Sequence, residues 1–184
     1  RIVVGNADNA CFPPTQAGFV PKVNDPVLSR KLPWPEGRKH ADAIESANRE
    51  LDHLAVILKG EGINVMRPAK RDWLKPISTP GWSVPNQYCA TCGRDVVITI
   101  GNIIIEASMS RRDRYFEIFA YRDIIKQFWR EDSNMLWKSG PKPELGDESF
   151  KVDWWGQSKE QKYKNMHAYQ FCITEEEPLF DAAD

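Results

Sequence analysis

Two short apolar runs lie close together near the middle of the chain and predict a β-hairpin. Residues 96–100 and 103–105 are apolar or β-branched, and only Gly101 and Asn102 separate them. Glycine and asparagine tolerate the positive φ angles that a two-residue hairpin turn requires. The pattern therefore predicts two antiparallel strands joined at Gly101 and Asn102.

The predicted turn also sets the pairing register of this hairpin. Ile100 then faces Ile103, and pairing continued back along the strands places Asp95 opposite Ser108 at the open end. A carboxylate at the mouth of a rigid hairpin is well placed to hold a cationic group. Asp95 is therefore the first candidate for a binding residue.

Two other segments have apolar residues at spacings of three and four, which predicts amphipathic helices. The first spans residues 42–59 and ends at the glycines at 60 and 62, and the second spans residues 121–130. Both apolar stripes are expected to face the core. Their members are Ile44, Ala47, Leu51, Leu54 and Leu58 in the first helix, and Ile124, Ile125, Phe128 and Trp129 in the second.

The rest of the chain is predicted to form short strands and long irregular connections. The predicted strands are residues 2–6, 63–66 and 169–174. Proline-rich or polar composition predicts loops over residues 12–38, 68–88 and 138–166, with a short helix near 159–166. Trp73 and Trp82 are interpreted as packing residues over the second loop. A strand–Gly–Asn ending occurs at 3–6 and again at 99–102, which fits repeated strand-strand-helix-strand units.

The charge balance does not point to a nucleic-acid or membrane-surface partner. The chain has 25 basic and 26 acidic residues, for a net charge of −1. The arginines at 111, 112 and 114 alternate with Asp113 and Glu117, which we interpret as a mixed-sign surface. No apolar run reaches the roughly 18 residues of a membrane span. Because the chain starts at Arg1 inside a predicted strand, we expect residues to be missing upstream.

Cys89 and Cys92 form a C-x-x-C pair, which in principle is a redox pair or half of a zinc site. The three histidines are isolated from one another, so we expect ordinary thiols and no metal. A non-enzymatic zinc or redox module stays the alternative. The remaining cysteines and the histidines are Cys11, Cys172, His40, His53 and His167.

Nucleotide-binding, zinc-protease and serine-hydrolase motifs do not occur in the sequence. Carboxylates near predicted strand ends are what remains for chemistry: Asp95, Glu106, Asp181 and Asp184. From the residues alone, each of these is more commonly a cap, turn or ion-pair residue than a catalytic one.

Four segments change this interpretation when they are taken in order and spacing. They are RIVVGNADNACFPP, NQYCATCGRDVVITIGNIIIEASMSRRDRYFEIFAYRDIIK, GPKPEL and EEEPLFDAAD. Together they resemble the amidinotransferase family, which includes arginine:glycine and inosamine-phosphate amidinotransferases. The resemblance is greatest to the cylindrospermopsin- and saxitoxin-pathway members, around the N-Q-Y-C-A and M-S-R-R segments.

The resemblance implies an α/β fold, a five-bladed α/β propeller of ββαβ modules. Residues 1–184 would form about its first half, open at both ends. It also implies an enzyme that moves the amidino group of L-arginine to a small amine acceptor, glycine or a toxin-pathway amine, and releases ornithine. The implied route is a covalent amidino-cysteine, with a histidine handling protons and no metal or organic cofactor. A cytoplasmic enzyme is expected, and a homodimer is compatible with the full-length form.

Two candidate carboxylates acquire roles from the resemblance. The aspartate of the R-D motif is Asp95, which binds the donor guanidinium in the family. The first aspartate of F-D-A-A-D is Asp181, the family's catalytic acid beside the histidine. Carboxylates suit a guanidinium because its planar fork of donors makes charge-assisted, often bidentate hydrogen bonds.

The other two carboxylates and several departures from the family pattern need separate interpretation. Glu106 is ambiguous, since it could be a structural carboxylate paired with Arg111 or Arg112, and Asp184 is interpreted as a turn residue. Gly93 stands where many relatives have proline. The family's histidine and nucleophilic cysteine lie downstream of F-D-A-A-D, and none of the four cysteines is in the nucleophile's motif. We therefore expect this piece to be inactive alone, and a deiminase of the same superfamily is the enzymatic alternative.

Overall fold

The computed structural model describes residues 1–14, 37–151 and 173–183, with four positions between 158 and 164. Cys172, His167, Asp184 and most of the strand and short helix predicted after residue 158 lie outside the described residues. The strands are β1 Ile2–Val3, β2 Val65–Met66, β3 Ile77–Ser78, β4 Ser83–Val84, β5 Val97–Ile100, β6 Ile103–Glu106 and β7 Leu136–Ser139. The helices are α1 Ala41–Gly60, the one-turn α2 Gly93–Val96 and α3 Arg122–Glu131, with 3₁₀ turns at Arg112–Arg114, Glu117–Ala120 and Asp147–Ser149.

The predicted hairpin is confirmed as β5 and β6, and it belongs to a complete ββαβ unit. Ile100 pairs with Ile103 across the turn. Of the two turn residues only Gly101 has a positive φ, of 59°, which is the pattern of a type II′ turn. After α3 the chain returns as β7 beside β6, parallel to it, with Ile103 opposite Leu136. The sheet order is therefore β5-β6-β7.

The predicted pairing of Asp95 with Ser108 is wrong. The antiparallel ladder ends at Val97 and Glu106, because the preceding residues wind into α2. The Asp95 N–H donates to the carbonyl of Cys92 at 3.1 Å within this turn. Asp95 is thus held at the base of the hairpin by a helical turn.

The first predicted helix is confirmed as α1, between the parallel strands β1 and β2, which pair Ile2 with Val65. Its apolar stripe is less buried than predicted. Only Ala55 of this helix is buried, while Leu54 is 46% exposed. In α3 likewise, Ile124 and Ile125 are buried but Trp129 is 53% exposed.

Two pairings fall in segments that were predicted to be loops. The hairpin β3–β4 forms within residues 68–88, and β7 forms at the start of the third predicted loop. Trp73 and Trp82 are buried as predicted, at 1% and 7% exposure, in two different hydrophobic clusters. No helix among the described residues is long and apolar enough to cross a membrane.

The two Gly–Asn endings serve different purposes. Gly101 provides the positive φ of a turn. At Gly5 a Cβ would overlap the backbone of Thr91, and the next residue, Asn6, bridges to Ala90. Gly5 therefore permits a close approach of two backbone segments, and the two endings are not structural equivalents.

Candidate active site

The structure brings Asp95 and Asp181 together, although 86 positions separate them in the sequence. The backbone N–H of Ala182 donates to the carbonyl of Asp95 at 2.7 Å. The segment before it is anchored to the end of the hairpin, since Met109 N–H donates to the Phe180 carbonyl at 3.0 Å. Ser108 adds its hydroxyl, which donates to the Pro178 carbonyl at 2.8 Å.

The two carboxylates converge on the guanidinium of Arg114. Its Nη1 donates to Asp95 Oδ2 at 3.1 Å and to Asp181 Oδ2 at 3.1 Å. The Arg114 side chain is 7% exposed, whereas the aspartate side chains are 16% and 21% exposed. The two carboxylates are therefore partly open to solvent, and the arginine beneath them is not.

Glu117 holds the opposite edge of the same guanidinium. Arg114 Nε donates to Glu117 Oε2 at 2.6 Å, and Nη2 donates to Oε1 at 3.1 Å. The Glu117 side chain is 1% exposed. The prediction that these residues form a mixed-sign surface is wrong, because Arg112, Asp113, Arg114 and Glu117 are all buried. The sequence feature that could have indicated this ion pair is an Arg and a Glu three residues apart within the aromatic segment R-D-R-Y-F-E.

Burial and ion pairing act in opposite directions on these two groups. Burial raises the pKa of Glu117 to about 7, against the hydrogen bond and charge of Arg114. Burial would lower the pKa of Arg114, but Glu117, Asp95 and Asp181 raise it well above its usual value. Because both Glu117 oxygens accept hydrogen bonds from Arg114, the contact favours the ionised carboxylate at neutral pH.

A second layer of charged groups surrounds the cluster. Arg111 Nη2 donates to Asp113 Oδ2 at 2.5 Å, and the Asp113 side chain is fully buried. The Arg111 and Arg114 guanidinium carbons lie 4.8 Å and 5.8 Å from the centre of the Tyr88 ring. Arg94 Nε is 3.5 Å from Asp95 Oδ1, and its side chain is 85% exposed.

Glu106 is a structural carboxylate, but the predicted partners are wrong. It pairs with Arg122, whose Nε and Nη2 donate to its two oxygens at 3.1 Å and 2.8 Å. Trp137 Nε1 and Ser139 Oγ also donate to it, at 3.0 Å and 3.1 Å. Arg111 and Arg112 instead bind Asp113 and Asp147. Glu106 thus joins β6, β7 and α3 and lies outside the Asp95–Asp181 cluster.

The C-x-x-C thiols differ in exposure. Cys89 is buried and Cys92 is exposed, and neither is in a disulfide. Burial raises the pKa of Cys89 to about 11, which disfavours the thiolate that metal binding or redox chemistry needs. Among the described residues, no group of three or more His, Cys, Asp or Glu side chains is arranged to hold a metal ion.

A cavity lies on a different part of the surface. Its volume is about 900 Å³, and its walls include Tyr115, Phe119, Arg122, Lys142 and the β3–β4 turn. None of Asp95, Arg114 and Asp181 lines it. The carboxylate cluster is therefore separate from this cavity.

Comparison with known proteins gives matches over the whole chain. It is 38% identical to L-arginine:L-lysine amidinotransferase from Pseudomonas savastanoi pv. phaseolicola, over 100% of this chain and 48% of that protein. It is 34% identical to the mitochondrial glycine amidinotransferase of Danio rerio, over 100% of this chain and 43% of that protein. In sequence the chain is an amidinotransferase relative. No protein-family model matches it.

Solved amidinotransferases have the same fold over these residues. An amidinotransferase of the saxitoxin biosynthetic pathway from Microseira wollei superimposes with a TM-score of 0.76 and 34% identity, over 99% of this chain and 47% of that one. The inosamine-phosphate amidinotransferase of Streptomyces griseus gives a TM-score of 0.78 and 30% identity, over 98% and 47%. The expected amidinotransferase resemblance and α/β architecture are confirmed. The chain spans about half the length of the relatives it matches.

Proposed function

We propose that this chain is part of an amidinotransferase that moves the amidino group of L-arginine to a small amine and releases ornithine. The observation that carries the proposal is the convergence of Asp95 and Asp181 on one guanidinium. Two partly exposed carboxylates at fixed positions can bind the planar donors of arginine. The names of the relatives support the same reaction class.

Within this proposal the two aspartates have different roles. Asp95 binds the donor guanidinium at the base of the hairpin, and Asp181 acts as the catalytic acid beside a histidine. Holding the donor carbon in front of a nucleophile lowers the barrier through orientation alone. The nucleophile is a cysteine that forms a covalent amidino intermediate, and the acceptor amine then attacks the same carbon.

Two of the three described cysteines are buried and are poor candidates for this nucleophile. They are Cys11 and Cys89, and burial raises the pKa of both thiols. Cys92 is exposed but is not in the family's nucleophile motif, so we assign the nucleophile to another part of the protein. Within the same proposal the enzyme is cytoplasmic, works without a metal or organic cofactor, and has the five-bladed architecture of ββαβ modules, and a homodimer is compatible with the full-length form.

The reaction is tested with the whole protein that carries this chain. It is incubated with L-arginine labelled with ¹³C at the guanidinium carbon, together with glycine, lysine or an amino sugar phosphate. Ornithine and a labelled guanidino product are expected by mass spectrometry. Labelled citrulline without a guanidino product would instead make the protein a deiminase. Stoichiometric zinc in the purified protein would contradict the amidinotransferase mechanism and favour a zinc module.

A further inference from the structure

We propose that Arg114 and Glu117 are positioning residues, which hold the carboxylates of Asp95 and Asp181 at one point. The proposal rests on the function proposed above. Arg114 is remote from the predicted motifs R-D and F-D-A-A-D, yet one of its nitrogens, Nη1, is 3.1 Å from both aspartates. A single donor therefore joins the two side chains, while Asp181 Oδ1 also accepts from the backbone N–H of Ala183 at 3.0 Å.

Glu117 leaves Arg114 only one orientation. The Nε and Nη2 edge of the guanidinium is bound by the two Glu117 oxygens, and the Arg114 Cζ lies over the Tyr88 ring. With both side chains almost completely buried, rotation of Arg114 would leave a buried carboxylate unpaired, which is strongly unfavourable. Nη1 is thus directed at the two aspartates.

The positive charge of Arg114 has a chemical consequence for its neighbours. Two carboxylates that share a site raise each other's pKa, whereas a nearby cation lowers both. Binding of a cationic guanidinium requires both aspartates to be ionised before the substrate arrives. Arg114 places a buried positive charge against both carboxylates, whereas Arg94 is far more exposed and its ion pair is with Asp95.

Several other charged or titratable groups lie around the cluster. They are Tyr88, Cys89, Arg94, Arg111, Asp113 and Glu117. Arg111 and Asp113 are mutually paired, and Cys89 is a neutral thiol at physiological pH because its pKa is about 11. Unlike these six groups, Arg114 donates hydrogen bonds to both Asp95 and Asp181.

The proposal is tested by replacing Arg114 and following the pH dependence of the whole protein. In Arg114→Met the acid limb of kcat/KM for arginine is expected to move up by about one pH unit. Arg114→Lys keeps the positive charge but loses the forked geometry of the guanidinium. This variant should partly restore the wild-type position of the acid limb. A purely structural role would change the thermal midpoint without moving this limb.

Arg112→Met is the matched control. Arg112 is a neighbouring buried arginine that donates to the Leu145 carbonyl and to Asp147, and it does not contact either aspartate. Its replacement should lower stability and leave the acid limb in place. A folded Arg114→Met protein with the wild-type limb, or an equal shift in Arg112→Met, would overturn the proposal.

A readout that does not need activity separates this proposal from the proposed reaction. The side-chain carboxyls of Asp95 and Asp181 are followed by ¹³C NMR through a pH titration. Both pKa values should rise in Arg114→Met and, to a smaller extent, change in Glu117→Gln. If the wild-type protein is inactive but the variants show these pKa changes, amidino transfer is refuted and the positioning role is upheld. If the wild-type protein is active but neither pKa value rises in Arg114→Met, the positioning role is refuted and amidino transfer is upheld.

Discussion

At the scale of single residues, the site depends on how one guanidinium divides its hydrogen bonds. Arg114 directs two nitrogens at Glu117 and the third at Asp95 and Asp181. The inner carboxylate is fixed by burial, while the outer two remain reachable from solvent. This division gives the cluster a rigid base and an open side on which a second cation can be bound.

Asp95→Asn tests the open side of this cluster. The amide keeps the shape but removes the charge, so kcat/KM for arginine should fall about 10- to 100-fold, in line with the roughly 1.5–3 kcal/mol of a charged hydrogen bond. Ornithine release by the whole protein measures it. Asp147→Asn is the control, because Asp147 also pairs with an arginine but its side chain is 90% exposed. Equal losses in the two variants would argue against substrate binding by Asp95.

The cysteines provide a residue-scale prediction about reactivity. Iodoacetamide at pH 8 should modify Cys92 rapidly in the native protein and leave Cys89 unmodified, because Cys92 is exposed and burial raises the Cys89 pKa to about 11. The thiolate is the reactive form, so the rate at Cys89 should increase only as the pH approaches this value or as the protein unfolds. Peptide mapping by mass spectrometry distinguishes the two sites. Rapid native modification of Cys89 would contradict the structure.

At the scale of secondary-structure elements, regular hydrophobic patterns predicted the elements whose residues are contiguous in the sequence. The β5–β6 hairpin and helices α1 and α3 follow from turn residues and from spacings of three and four. The strands β3 and β4 were missed because they lie in a proline-rich segment, whose composition predicts a loop, and β7 was missed because it has no alternating apolar pattern. β7 in particular pairs with β6, which lies on the other side of α3 in the sequence. Such a pairing depends on a strand that is distant in the sequence, and a local hydrophobic pattern does not reveal it.

Glu106 is the polar connection between these elements. Glu106→Gln should destabilise the protein by about 2 kcal/mol. It removes the charge partner of Arg122 and replaces one of the two acceptor oxygens, so Trp137 or Ser139 loses its acceptor. Urea unfolding of the whole protein measures the change. Asp123→Asn on the same helix is the control, because that side chain is 83% exposed and its ion pair is long. A loss below about 1 kcal/mol, the range of a surface ion pair, would show that Glu106 does not join the sheet to α3.

At the scale of the whole molecule, the described residues form a site with carboxylates but with no accessible nucleophile other than Cys92 among the described thiols. The chain also spans about half the length of its relatives. We therefore predict that residues 1–184 alone release no ornithine from arginine, whereas the whole protein does. Any turnover by the shorter chain, lost on Cys92→Ser, would instead identify Cys92 as the nucleophile.

The sequence by itself determined the hairpin, the two long helices and the two aspartates that its resemblance to amidinotransferases singles out. Tertiary structure alone decided that these aspartates meet, because their contact depends on the docking of residues 178–183 on the end of the hairpin. It also decided that the Arg114–Glu117 pair is buried. Charge in a sequence does not reveal burial, since an ion pair of the same composition can be solvated on a surface or enclosed beneath a site.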